Sequence, residues 1–148
     1  MARPTLDEYF LNLAVVVATR GTCFRRTVGC VLVGPTGRAL ATGYNGPPSG
    51  APHCIDAPCA GARAPAGTGL DLCEAVHAEM NALLSCADVR QIHTCYVTHS
   101  PCVTCVKLLL NTSCRRVVFS TPYAHDAEAK RRWLEQNSAD LNRTWEQV

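Results

Sequence analysis

Two short segments, His77-Ala78-Glu79 and Pro101-Cys102-Val103-Thr104-Cys105, lie far apart in sequence, and a chain that uses them together must fold so that they meet. One imidazole and two thiolates form a donor set suited to Zn²⁺, and three protein ligands leave the fourth tetrahedral position open to water. An open position implies catalysis rather than a structural clip. Zinc lowers the pKa of bound water from 15.7 to roughly 7, so a nearby carboxylate can take that proton at neutral pH and deliver it to a leaving amine. Glu79, two residues past the histidine and on the first turn of a helix expected over Ala75 to Cys86, is placed to do this without ligating the metal. Hydrolytic deamination is the reaction such a set fits.

The complete pattern H-x-E…P-C-x-x-C is the signature of zinc deaminases. Its halves are weaker. Cys102-x-x-Cys105 alone also fits a redox dithiol or half of a structural zinc site. Pro101 favours a helix start just after it, and the positive end of that helix favours thiolates.

The chain has 148 residues and no shift in composition that would divide it, which fits one domain with a substantial core. A formal charge of +2 without dense basic runs argues against affinity built on polynucleotide phosphates, while leaving a small anionic substrate open. Ten cysteines could serve a disulfide scaffold, but Asp7 and Glu8 stand just ahead of the N-terminal apolar run and no cleavage site follows. The expectation is a protein with no signal peptide and no membrane span, its thiols reduced in cytoplasm or bound to metal.

Thr5 reads as an N-cap, and Leu6, Phe10, Leu13 and Val17 recur at helical spacing until Gly21. Val28 to Val33 and Arg38 to Tyr44 flank Gly34-Pro35-Thr36-Gly37 as a hairpin. Residues 45 to 73 are rich in glycine, proline and alanine, a loop length that is uncommon unless the loop is functional or internally fixed. After the His77 helix, Ile92 to Thr98 reads as a strand with Cys95 and Val97 on one face. Cys102 to Thr112 follows as a helix, then Val117 to Phe119 as a strand, Ala127 to Gln136 as a helix and Arg143 to Val148 as a last strand. The order αββαβαβα(β) predicts a mixed sheet between helical layers, with both ligand-bearing helices on one side. Leu108 to Leu110 and Trp133 read as core, Cys86, Cys95 and Cys114 as small buried apolar residues, and Lys107, Arg115 and Arg116 as solvent-facing charges.

Over most of its length the chain resembles the deoxycytidylate (dCMP) deaminases, a branch of the cytidine deaminase-like zinc enzymes. The resemblance rests on residues 22–29 (TCFRRTVG), Gly43-Tyr44-Asn45-Gly46-Pro47-Pro48-Ser49-Gly50, His53-Cys54, residues 76–82 (VHAEMNA), and Tyr96-Val97-Thr98 leading to the Pro101–Cys105 segment. The zinc pieces are shared with cytidine, guanine and tRNA-adenosine deaminases, whereas the GYNG-x-P-x-G run followed by His-Cys is particular to the dCMP branch. Departures are Cys30 in place of the usual alanine, His99 before Ser100-Pro101, and the alanine-rich stretch 60 to 69.

The resemblance implies a three-layer α/β/α fold with a five-stranded mixed sheet and helices on both faces. It implies attack of metal-activated water on C4 of cytosine, with Glu79 protonating N3 and then the departing amine to give dUMP and ammonia. It further implies a homo-oligomer, a hexamer, activated by dCTP and inhibited by dTTP, with Tyr44 to Gly46 among the nucleotide contacts. Asn45 is then a contact to sugar or base, the alternative being a turn asparagine. Arg26 can offer a bidentate fork to the 5′-phosphate, the alternative being a solvated surface arginine. Tyr123 stands where relatives place an aromatic near the nucleotide, the alternative being a core tyrosine.

A second, structural zinc is expected on Cys23, Cys54, Cys59 and Cys73. Three of these lie in the long loop, where a metal clip offsets the entropy of closure, and Cys54-x4-Cys59 is within the spacing of structural sites. Cys23 and Cys54 also fall where relatives place ligands of a non-catalytic zinc. Free thiols, or His53 in place of one cysteine, are the alternatives. Other functions consistent with the sequence are deamination of 5-methyl-dCMP, dCTP or another base, and a nucleotide-sensing regulatory protein. The intact Glu79 argues against a pure sensor, which has no need of a proton shuttle.

Overall fold

The structure is a computed structural model, and it describes residues 2–65, 68–69, 73–136 and 141–148. Helix α1 (Leu6–Ala18) opens with the expected cap at Thr5. Its hydroxyl accepts from the Glu8 N–H at 3.2 Å, and the Glu8 carboxylate accepts from the Thr5 N–H at 2.8 Å. This reciprocal pair satisfies two amides that the helix itself leaves without partners. Strands β1 (Gly29–Val33) and β2 (Ala39–Tyr44) form the predicted antiparallel hairpin, turned at Gly37 with φ 76°.

Helix α2 (Ala78–Ser85) begins three residues later than its periodicity suggests. Val76 exchanges both backbone hydrogen bonds with Gly46, at 2.7 and 3.2 Å, and this bridge keeps the chain extended up to His77, which becomes the N-cap. Strand β3 (Thr94–His99), helix α3 (Val103–Leu110), strand β4 (Arg116–Thr121), helix α4 (Ala127–Glu135) and strand β5 (Thr144–Gln147) complete the order.

The sheet runs β2-β1-β3-β4-β5, antiparallel across β1 and parallel from β3 to β5. The two parallel steps need crossovers, and α3 and α4 supply them. Both faces are covered, as expected from the sequence. On one face α1 packs Phe10, Leu11 and Ala14 against Val31, Val33, Tyr96 and Val118. On the other, Ala78 and Ala82 of α2, Val106 and Leu109 of α3, and Ala129 and Trp133 of α4 meet Cys30, Leu32, Cys95, Val97, Val117 and Phe119. The two helices that follow the ligand segments therefore share a face. Gly43 makes this approach possible: a Cβ there would lie 2.3 Å from both the Ala78 carbonyl oxygen and the Ala82 nitrogen.

Two readings are corrected, Leu108 as core and Arg116 as a solvent-facing charge. Leu108 is 43% exposed, because only Leu109 of its run points squarely at the sheet. Arg116 is not a solvent-facing charge. Its guanidinium bridges Asp7 of α1 at 2.9 Å and Glu146 of β5 at 2.8 Å. No helix among the described residues is long and apolar enough to cross a membrane.

Candidate active site

His77 and Cys102 are the N-cap residues of α2 and α3, and neither side chain caps its own helix. Both point instead toward a common point. The His77 Nδ1 lies 3.4 Å from the Sγ of Cys102 and 3.4 Å from the Sγ of Cys105. Among the described residues this is the one group of three or more candidate ligands whose donor atoms all lie within 4.8 Å. Tetrahedral zinc with bonds of about 2.3 Å to sulfur and 2.0–2.1 Å to nitrogen has N···S edges of roughly 3.6 Å, so the donors already stand near ligand spacing.

Their protonation is shared. The hydrogen bond from the Cys105 thiol, followed by the one to His77, holds Cys102 down at about 4, while the same sharing and burial push Cys105 far up. The neighbouring Cys102 raises His77 in turn. Metal binding requires the remaining protons to leave.

Glu79, one residue inside α2, is 4% exposed. Burial raises its pKa, with the His77 charge as the chief opposing influence, and the Cys105 thiol is within hydrogen-bonding reach. His77, Glu79 and Cys102 line a cavity of about 440 Å³, a size typical of small-ligand sites, with Cys105 buried beside them. Arg26, Asn45 and Tyr123, the three residues expected to meet substrate, line the same cavity. The Arg26 guanidinium lies 5.1 Å from the Tyr123 ring centroid. Asn45 is buried, and its amide accepts from the Val28 N–H at 2.8 Å and donates to the Arg26 carbonyl at 2.9 Å. It thus fixes the segment that carries Arg26.

Cavity residues not singled out from sequence include Arg25, Ser100 and His125, and also His99, which is noted above only as a departure. Ser100 has a clear task. Its hydroxyl accepts from the Tyr123 N–H at 2.6 Å and donates to Asp126 at 3.1 Å, so the segment after β4 is tied to the end of β3. The signal for His99 is its place at the C-terminal end of a strand with a parallel neighbour, where ligands of open α/β sheets gather.

Cys23, Cys54, Cys59 and Cys73 line a second, small cavity of about 10 Å³. Of the four, Cys54 and Cys59 have their sulfurs 3.8 Å apart, the edge of a zinc tetrahedron, and the full set is not drawn into ligand spacing. His53 is exposed, with Nδ1 3.2 Å from the Thr22 hydroxyl.

Known proteins are similar to this chain in sequence and fold. A deoxycytidylate deaminase from Saccharomyces cerevisiae is 38% identical over 131 residues, which is 87% of this chain and 42% of that protein. One from Mycobacterium phage D29 is 43% identical over 125 residues, 80% of this chain and 97% of the phage protein. The chain thus spans about two fifths of the yeast relatives' length but nearly all of the phage relative. The crystal structure of dCMP deaminase from cyanophage S-TIM5 in complex with dCMP and dUMP superposes with a TM-score of 0.70 at 25% identity, covering 100% of both chains. The family model of the cytidine and deoxycytidylate deaminase zinc-binding region matches residues 4–121, and the chain belongs to that family.

Proposed function

We propose that this protein hydrolyses dCMP to dUMP and ammonia. The observation that carries the reading is one cavity lined by His77, Cys102, buried Glu79 and Arg26, with Cys105 completing the candidate ligand set behind its wall. The donor spacing fits zinc, which His77, Cys102 and Cys105 would hold. When bound, zinc supplies the Lewis acidity that makes water nucleophilic at neutral pH. Glu79 accepts the proton of that water and passes it to N3 of the pyrimidine, which makes C4 electrophilic. It then carries the second proton to the departing amine. Burial raises its pKa, the direction that acid and base roles near neutral pH require.

Asn45 holds residues 26 to 28 against the cavity and has one amide hydrogen left to offer sugar or base. Arg26 takes the 5′-phosphate and Tyr123 packs beside it, a pairing supported by their stacking. A second zinc on Cys23, Cys54, Cys59 and Cys73 is supported by their common cavity and by the 3.8 Å sulfur edge.

The family resemblance further supports a hexamer under dCTP activation and dTTP inhibition. Leu6, Tyr9, Val15 and Val16, all at least half exposed on α1, offer apolar surface for such assembly. One sheet covered on both faces supports a single domain, and ten unpaired thiols suit the reducing cytoplasm.

Ammonia release from zinc-loaded protein given dCMP, dCTP, 5-methyl-dCMP, deoxycytidine and cytosine-containing single-stranded DNA tests the reading. Fastest turnover per concentration is expected with dCMP. Preference for another of these replaces the substrate, and binding without turnover of any favours the sensor.

A further inference from the structure

Besides His77, the cavity is lined by His99 and His125, neither of which the reaction gives a task, and of the two His99 is tied by a hydrogen bond to the buried end of a strand. His99 ends β3, three residues before Cys102, and is half-buried in the cavity wall. Its Nδ1 lies 3.1 Å from the Thr98 hydroxyl, which also accepts the Gly29 N–H at 3.2 Å. Thr98 is itself buried, so its single hydroxyl proton needs an acceptor. The arrangement that leaves no group without a partner has Thr98 O–H donating to Nδ1. This fixes the ring as the Nε2–H tautomer, and Nε2–H is the donor it can present to a ligand.

The surroundings say what that ligand is. Burial, with the Arg26 charge adding to it, pushes the His99 pKa below its usual range, so the ring donates as a neutral group beside the arginine. Arg25 directs its guanidinium to the carbonyls of Pro65 at 2.7 Å and Thr68 at 3.0 Å. Arg26 instead lies over Tyr123 at the cavity wall. Glu79 is the single carboxylate among the described residues lining the cavity, and it sits with the metal ligands. An anionic group on the ligand is therefore drawn to the part of the wall where the Arg26 charge reaches His99.

We infer that His99 is a specificity-determining residue that donates a hydrogen bond from Nε2 to the 5′-phosphate of the nucleotide, alongside Arg26. The inference rests on the nucleotide reading above and adds a residue to it.

The test compares dCMP with deoxycytidine in wild type, His99→Leu and His99→Gln, whose amide can replace the Nε2–H donor. With His99→Leu, kcat/KM for dCMP is expected to fall roughly ten- to hundredfold, mostly through KM, as for a lost hydrogen bond to a charged group. For deoxycytidine it should stay unchanged, and His99→Gln should recover most of the dCMP loss. Parallel losses on both substrates, or none, overturn the assignment while the wild type still prefers dCMP. A wild type indifferent to the phosphate overturns the nucleotide reading itself, and this proposal with it. Nitrogen NMR on histidine-labelled protein gives a readout independent of folding losses in the variants. The expected spectrum shows His99 with Nε2 protonated, and a protonated Nδ1 in the neutral ring overturns the proposal.

Discussion

Glu79 combines near-complete burial with a place in the first turn of the helix whose N-cap is His77. A carboxylate so buried is costly unless it has a partner or a task, and proton transfer beside the ligand set is the task proposed for it. Glu79→Gln preserves shape and a hydrogen-bonding oxygen but cannot carry a proton. Turnover is expected to fall roughly a thousandfold or more, with zinc content unchanged. Normal turnover with full metal would remove the mechanism, and measuring the metal separates loss of chemistry from loss of the site. That His77, Cys102 and Cys105 would meet was legible in the sequence because metal-ligand chemistry restricts both residue type and spacing. Arg116 was not, since its partners Asp7 and Glu146 lie 109 and 30 residues away, and only the folded sheet brings them within reach. His99 was visible as an oddity, but its hydrogen-bond chain through Thr98 to Gly29 depends on the pairing of β1 with β3.

The elements were legible wherever hydrophobic period and capping agreed, as in α1, the hairpin and the parallel strands. The start of α2 was not, because the Gly46–Val76 bridge overrides local helix preference. That bridge also extends the packing of β2 on α2 to the base of the long loop. Further ties are the Ile55 N–H to the Thr22 carbonyl at 3.0 Å and the Arg25 guanidinium to the Pro65 and Thr68 carbonyls. Closing such a loop with a metal offsets chain entropy. Fully loaded protein is therefore expected to hold about two zinc ions per chain, the second on a four-cysteine site. Cys59→Ala should lose one of them and increase amide exchange around residues 54–62, while the metal at His77 stays and deamination persists. Elemental analysis giving a single zinc in fully active wild type would defeat the second site. Loss of both metals on Cys59→Ala would mean that the loop and the catalytic ligands fold as one unit.

For the whole molecule, the face opposite the active site is closed by α1, and one polar cluster ties that helix to three strands. Asp7 accepts from Arg116 of β4 at 3.1 and 2.9 Å and from the Tyr96 hydroxyl of β3 at 2.6 Å, while Arg116 also bridges Glu146 of β5. Hydrogen bonding from Arg116 is the largest cause lowering the pKa of both Asp7 and Glu146. A carboxylate whose pKa is depressed by folding contributes stability that is complete above its unfolded value and is lost as pH falls through the folded one. With unfolded values of roughly 3.9 for Asp and 4.3 for Glu, the cluster is intact at neutral pH and fails only in acid below about pH 4. The side chains are 27 to 36% exposed, so solvent screening limits their contribution. Asp7→Asn is accordingly expected to cost about 1–2 kcal/mol at pH 7, read from urea unfolding of the metal-free protein so that zinc release in acid does not intrude. The gap between wild type and variant should hold constant down to about pH 5 and then narrow as Asp7 protonates in the wild type. A gap that widens in acid, or none at pH 7, would mean that the cluster forms without stabilising the attachment of α1.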